Sequence, residues 1–257
     1  MQGILIHTEV NLKEVNMIDQ LEGKTAIITG ASQGIGRAIS LILSNKGVNL
    51  VIASRNEEKL LTLKDEITER GGKVLVVKSD VGIMMDCKHL AQQTLDAYGR
   101  IDILINNAGR GLGGGGPIEA SDPEEVSRMV QVNLLGIYYC TVAVLPSMKA
   151  HSCGHIINIS SVVGIKYFPQ SPMYSATKFA VRAFSEGIRN QVQKWNIRVT
   201  TVYPGQTDTP MMERFPVAER NRFLRPEHIA RAIIHALEYP DGVSINEIVI
   251  RPTWQEE

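Results

Sequence analysis

A phenol and an amine stand four positions apart in Met173-Tyr174-Ser175-Ala176-Thr177-Lys178-Phe179-Ala180. The run contains good helix formers and few breakers, and on a helix two such positions share a face, about 6 Å apart along the axis. A free tyrosine has a pKa of about 10, so roughly one in a thousand is ionised at pH 7, too few for a useful proton-transfer group. A unit positive charge at about 4 Å, in an effective dielectric near 20, would stabilise the phenolate by roughly 4 kcal/mol, or about 3 pKa units. Alone, Y-x-x-x-K more often marks an exposed tyrosine beside a lysine. The rest of the chain decides between the two meanings.

Thr25-Ala26-Ile27-Ile28-Thr29 is a short, β-branched apolar run, read as a buried parallel strand. It leads into Gly30-Ala31-Ser32-Gln33-Gly34-Ile35-Gly36 and a helical pattern from Arg37 to Lys46. A glycine turn between a strand and a helix N-terminus offers free N–H groups and a helix dipole to a phosphate. Three residues separate the first two glycines, which departs from G-x-G-x-x-G and leaves a plain βα turn as the alternative.

The second strand, Asn49 to Ala53, ends in Ser54-Arg55. An acid at that terminus of a dinucleotide fold would bind the adenine-ribose hydroxyls, whereas an arginine accommodates a 2′-phosphate. The next acids, Glu57 and Glu58, already belong to the helix Glu57 to Arg70, so NADP(H) is expected rather than NAD.

Further strands are read at Lys73 to Ser79, Asp102 to Asn106, Ile156 to Ser161, Arg198 to Tyr203 and Glu247 to Arg251. Between them lie helical patterns at 84–98, 123–150, 174–194 and 225–238. The alternation predicts an α/β fold: one Rossmann-like, doubly wound parallel sheet of about seven strands with helices on both faces. Asn106-Asn107-Ala108-Gly109 closes the fourth strand at the edge where such sheets bind ligands. The glycine-rich run Arg110 to Pro117 is either a plain connection or a lid. Asn133 is an amide within an apolar helical stretch and needs a partner. Residues 1–20 read as an N-terminal extension with no assigned function, and 21–257 as a single domain.

Lysine plus arginine and aspartate plus glutamate both number 27, giving no electrostatic footprint for nucleic acid or an anionic membrane. Cys87, Cys140 and Cys153 are odd in number and widely spaced, which disfavours a disulfide framework and a C-x-x-C site and suits a reducing cytoplasm. The histidines form no metal-ligand pattern; His228 and His235 on one helix read as surface and packing. No apolar run is read as reaching the roughly 18 residues that span a bilayer, and no signal-peptide pattern is read at the start, so a soluble protein is expected.

In this order the motifs resemble those of the classical short-chain dehydrogenases/reductases, over residues 21–251 or so. Thr29 to Gly36 matches the family's T-G-x-x-x-G-x-G, and Asn106 to Gly109 its N-N-A-G. Asn133, Ser161, Tyr174 and Lys178 match its catalytic tetrad, with Ser160 the neighbour rather than the match, and Pro204-Gly205 matches its P-G. The resemblance implies that Tyr174 is the acid in reduction and the base in oxidation. Ser161 would hydrogen-bond the substrate oxygen, Lys178 hold the nicotinamide ribose and favour phenolate, and Asn133 position a water leading from Lys178 to solvent. Gly30, Ser32, Gln33, Gly34, Ile35 and Gly36 would form the cofactor turn, with Ser54 and Arg55 at the 2′-position. Asp80 and Val81 would contact the adenine, Asn107 and Ala108 would line its ribose, and Gly109 would join them in the cofactor site. Pro204, Gly205, Thr207 and Thr209 would lie against the nicotinamide.

These matches imply an NADP(H)-dependent oxidoreductase interconverting a carbonyl and a secondary alcohol on a small substrate. A 3-oxoacyl thioester is the alternative substrate, and an NADP(H)-binding sensor without turnover is the alternative class. Tyr167, Phe168, Gln206 and Met211 are expected around the substrate. The segment between Pro204-Gly205 and Arg225-Pro226 is short for the family. The ending Asn246 to Thr253 lacks the glycine pair of many 3-oxoacyl-carrier-protein reductases and is more similar to reductases related to serine 3-dehydrogenase and sepiapterin reductase. The outer faces of helices 123–150 and 174–194 pair across a two-fold axis in the family, which implies a homodimer or homotetramer.

Overall fold

The computed structural model describes residues 20–111 and 118–255. Most of the expected N-terminal extension and the glycine-rich stretch 112–117 lie outside the described residues.

Seven strands form one sheet: β1 (Thr25–Thr29), β2 (Asn49–Ser54), β3 (Val74–Lys78), β4 (Ile103–Asn106), β5 (Gly154–Ile159), β6 (Ile197–Pro204) and β7 (Glu247–Ile250). All pairings are parallel, in the order β3-β2-β1-β4-β5-β6-β7. Successive side chains of a strand point to opposite faces, so Ala26 and Ile28 enter one core while Ile27, between them, enters the other. Burial on both faces explains why the strands read as continuous apolar runs.

On the first face lie α1 (Gly34–Ser44), α2 (Glu57–Glu69) and α8 (Pro226–Leu237), contributing Ile39, Leu43, Leu60, Leu63, Ile229 and Ile233. On the second face lie α3 (Met84–Tyr98), α4 (Pro123–Val130), α5 (Gly136–Ala150) and α6 (Pro172–Val192), with Leu90, Val144, Met148, Ile188 and Val192 buried. The strand order reverses between β1 and β4, and the cleft opens at the carboxyl ends of the strands beside that switch, the place such sheets offer a ligand.

Three local expectations need correction. First, α1 starts at Gly34 rather than Arg37, so the helix N-terminus lies inside the glycine turn. Second, the stretch 123–150 is not one regular α-helix: a π-helical turn at Gln131–Leu135 separates α4 from α5 and holds Asn133 at its centre. Hydrophobic periodicity hides one residue of slippage, and π turns gather at functional sites. By length and composition 123–150 could cross a membrane, yet Met129, Val132, Ile137, Cys140, Val144 and Met148 along it are buried in this fold. Third, β5 stops at Ile159, so Ser160 and Ser161 belong to the turn after it. Between β6 and α8, a 3₁₀ turn at Pro210–Met212 and α7 (Val217–Arg220) occupy a stretch that carries no clear sequence pattern.

Candidate active site

Gly30 has φ +64°, and a Cβ there would meet the Ala108 Cα at 2.8 Å, so side chains are excluded on both conformational and steric grounds. That approach joins β1 to the end of β4. The Asn107 amide donates to the Thr29 and Gly30 carbonyls at 2.9 and 3.1 Å, while the Thr29 hydroxyl accepts from the N–H groups of Asn107 and Ala108 at 3.1 Å each. Gly36 lies beneath this junction: a Cβ there would come within 2.5 Å of both the Asn107 amide nitrogen and the Gly30 carbonyl. It therefore shapes the turn and does not line the cleft.

The cleft, about 440 Å³, is lined by every other residue expected to bind cofactor: the turn from Gly30 to Ile35 (Ala31 apart), Ser54, Arg55, Asp80, Val81, Asn107, Ala108, Gly109, Tyr174, Lys178, Pro204, Gly205, Thr207 and Thr209. Arg55 is exposed at its rim with no ion-pair partner among the described residues. Asp80 is bound by the Arg128 guanidinium, and its other oxygen accepts from Gly82 N–H at 2.9 Å, which holds the β3–α3 turn at the cleft edge. A glycine turn at a helix N-terminus, a polar floor and a free guanidinium suit a phosphorylated dinucleotide. Asn56, Ser79, Arg110 and Ser160 also line the cleft and escaped the sequence reading. Of these, Asn56 carried a signal: it is the N-cap of α2, accepting Lys59 N–H at 2.9 Å.

Helix α6 delivers Tyr174 and Lys178 to the cleft. The helix is tied down on several sides: Ser175 Oγ accepts Phe168 N–H at 3.0 Å, Thr177 Oγ1 donates to the Tyr174 carbonyl at 2.7 Å, and Ser160 Oγ donates to the Lys178 carbonyl at 2.9 Å. Lys178 is 4% exposed and its ammonium donates to the Ile159 carbonyl at 3.0 Å. Ser161 caps the 3₁₀ turn that follows β5, accepting Val163 N–H at 3.3 Å. That bond uses a lone pair and leaves the hydroxyl proton available.

In the ligand-free site the largest influence on the phenol is burial. Burial pushes the Tyr174 pKa up to about 12, with a hydrogen bond from Ser161 acting in the opposite direction. Burial likewise pushes Lys178 down to about 8. A low-dielectric site penalises each charge, the phenolate and the ammonium alike.

Asn133 does not line the cleft. Its amide clamps the segment after β4: Oδ1 accepts Arg110 N–H at 2.8 Å, and Nδ2 donates to the Arg110 carbonyl at 2.8 Å and to Thr177 Oγ1 at 3.2 Å. A Cβ built on Gly109 would lie 3.8 Å from both Asn133 Oδ1 and Lys178 Nζ, so Gly109 sits beside both groups.

A second cavity of about 580 Å³ opens from the same point, sharing Ser161, Tyr174, Gly205 and Met211 with the cleft. Phe168, Gln206 and Met211 line it as expected. Tyr167 does not; it is 73% exposed and lines neither cavity. Val162, Val163, Phe215 and Gln255 join the walls without a signal in the sequence, because they are brought together only by the fold.

A family model described as short chain dehydrogenase matches residues 24–219. An uncharacterized oxidoreductase of Staphylococcus saprophyticus is 39% identical over 236 residues, covering 91% of this chain and 99% of its own. Another, from Listeria monocytogenes, is 35% identical over 246 residues, covering 91% and 98%. Among solved structures, an alcohol dehydrogenase from Thermococcus sibiricus complexed with 5-hydroxy-NADP has a TM-score of 0.84 at 30% identity, covering 91% of this chain and 98% of that one. The closed form of serine dehydrogenase complexed with NADP+ gives 0.84 at 30%, covering 91% and 96%. With the sheet order, the glycine turn and the tyrosine–lysine pair in place, the chain belongs to the short-chain dehydrogenase family of oxidoreductases.

Proposed function

We propose that the protein is an NADP(H)-dependent oxidoreductase interconverting a carbonyl and a secondary alcohol on a small substrate, with Tyr174 as acid and base. The observation that carries this reading is the position of Ser161 and Tyr174, which line both the dinucleotide cleft and the second cavity. Relatives bound to NADP support the cofactor assignment, as does the unpaired Arg55 at the cleft rim. When bound, the dinucleotide supplies or receives the hydride. The protein's own residues do the rest. The Ser161 hydroxyl and the Tyr174 phenol converge on the substrate oxygen, donating hydrogen bonds where negative charge develops. With a pKa near 12 in the ligand-free site, the phenol is fully protonated at neutral pH and ready to give its proton to that oxygen. Oxidation needs the phenolate, which the Lys178 ammonium and the positive nicotinamide ring of the oxidised cofactor would favour.

The second cavity is mostly apolar, and Arg214 is the single charged residue lining it among the described residues. The guanidinium lies 5.0 Å from the Phe215 ring centre. Such a pocket suits a carbonyl compound with an apolar body that is neutral or bears a carboxylate, and disfavours a cation. Three free thiols fit a reducing cytoplasmic setting. The exposed apolar side chains Tyr138 and Val142 of α5 and Phe179 of α6 fit pairing into a homodimer or a tetramer of dimers. The deciding experiment is NADPH oxidation with a panel of small ketones, aldehydes and 3-oxo acids. Consumption with at least one class is expected; NADPH binding without turnover across the panel would replace the enzyme by a sensor.

A further inference from the structure

After β7 the chain does not leave the site. Arg251 to Gln255 turns back across the end of β6, with Gln255 N–H donating to the Pro252 carbonyl at 3.1 Å. Two successive amides of the segment after β6 are consumed by this return: Gly205 N–H donates to the Ile250 carbonyl at 2.8 Å, and Gln206 N–H to Gln255 Oε1 at 3.0 Å. The approach is close enough that a Cβ on Gly205 would collide with Gln255 Oε1 and sit 3.1 Å from the Arg251 Cα and the Pro252 Cδ. A side chain at 205 would displace the Gln255 amide and press on the returning backbone.

The far side of the return is anchored too. Trp254 Nε1 donates to the Arg222 carbonyl at 2.7 Å, and its ring stacks on Phe223 at 6.1 Å and 25°. Phe223 in turn meets Phe215 edge-on at 5.7 Å, and Phe215 lines the substrate cavity. One short segment thus joins the peptide at Gly205–Gln206 to the opposite wall, and Gln255 itself lines the cavity between them.

We infer that Gln255 is a positioning residue for the carbonyl substrate. Its side-chain oxygen fixes the Gly205–Gln206 peptide beside Ser161 and Tyr174, and its body forms part of the substrate wall. This rests on the oxidoreductase reading above. A glutamate at 255 has the same length and keeps the acceptor; a leucine fills similar space and lacks it.

The test compares Gln255→Leu and Gln255→Glu with the unmutated protein. Readouts are hydrogen exchange of the Gln206 amide in the ligand-free chain by heteronuclear NMR, NADPH titration by fluorescence, and kcat and KM on a neutral ketone selected from the panel. In Gln255→Leu the Gln206 amide should exchange at least about tenfold faster, and kcat/KM should fall about tenfold, the scale of one lost hydrogen bond in an active site. Gln255→Glu should restore both, and NADPH affinity should stay within about twofold in each variant. Unchanged exchange in Gln255→Leu overturns the positioning bond, and faster exchange with normal turnover overturns its role toward substrate. Loss of NADPH binding along with a lowered melting temperature marks an architectural role and overturns the inference. Absence of turnover by the unmutated protein overturns the oxidoreductase reading and this role with it, whereas normal turnover in Gln255→Leu overturns this role alone.

Discussion

The Lys178 ammonium lies 5.7 Å from the centre of the Tyr174 ring and donates to the Ile159 carbonyl at 3.0 Å. Lys178 is buried and Tyr174 half-buried, and desolvation in the ligand-free site disfavours both charges, the ammonium and the phenolate.

Stability should record this cost. The folded-state pKa of Lys178 is lowered, from 10.5 to about 8, so the folded chain binds the proton less well than the unfolded chain. Stability therefore rises with pH from about 8 towards 10.5, and the penalty is largest below pH 8. Lys178→Met removes the charge at similar length. Its stability advantage over the unmutated protein, measured by urea unfolding without ligand, should shrink by about 2 kcal/mol between pH 7 and pH 9.5. A difference constant across that range would show that Lys178 is not titrating as described.

Tyr174→Phe keeps the ring and removes the acid. General acid catalysis is typically worth 10²–10⁴-fold and the lost hydroxyl also removes a hydrogen bond to the developing charge, so kcat should fall by at least about a thousandfold. NADPH affinity, titrated on the same preparation, should be nearly unchanged because the cleft is built mainly by other residues. Retention of more than about a tenth of the activity would remove Tyr174 from its role.

The same phenol sets the pH dependence. With a pKa raised to about 12, Tyr174 stays protonated through the neutral range. In reduction, kcat/KM for NADPH, which reports the ligand-free enzyme, should accordingly show no loss from Tyr174 ionisation between pH 6 and about 9, while oxidation should gain with rising pH, since it needs the phenolate. Initial rates in both directions over that range check the pair; a fall in reduction centred near pH 7 would contradict it.

Cofactor choice should follow the end of β2. A charge-assisted bond from Arg55 to a 2′-phosphate contributes roughly 1.5–3 kcal/mol, a preference for NADPH over NADH of about ten- to a hundredfold. Replacing Ser54 with Asp and Arg55 with Ala together should move that preference toward NADH. Equal kcat/KM for both cofactors in the unmutated protein would show that Arg55 does not read the phosphate.

Arg214 should matter only for charged substrates. With a 3-oxo acid and its ethyl ester as a pair, Arg214→Gln should lower kcat/KM for the acid about fivefold at low salt, an effect that shrinks as ionic strength rises. The ester should be turned over as before. A loss common to both would mean that Arg214 shapes the wall instead of pairing with the substrate.

Much of this protein was legible in the order of its residues, and the reason is that the legible parts are local. A strand buried on both faces reads as an apolar run, as Ala26–Ile28 and Leu50–Ala53 do, and a glycine turn must carry glycines where no Cβ fits, as at Gly30. Tyr174 and Lys178 share a face because the helix period places them there, whatever surrounds the helix. What the fold alone decided depends on neighbours distant in the chain. The spacing of Tyr174 and Lys178 suggested a charge effect, whereas the desolvation that raises one pKa and lowers the other comes from the surrounding elements and cannot be seen in a five-residue motif. The partners of Asn133 are the main chain of Arg110 and the hydroxyl of Thr177, 23 and 44 positions away. Gln255 meets Gln206 across 49 positions because β7 pairs with β6 and the chain then turns back, a contact that sheet topology creates and no local pattern announces.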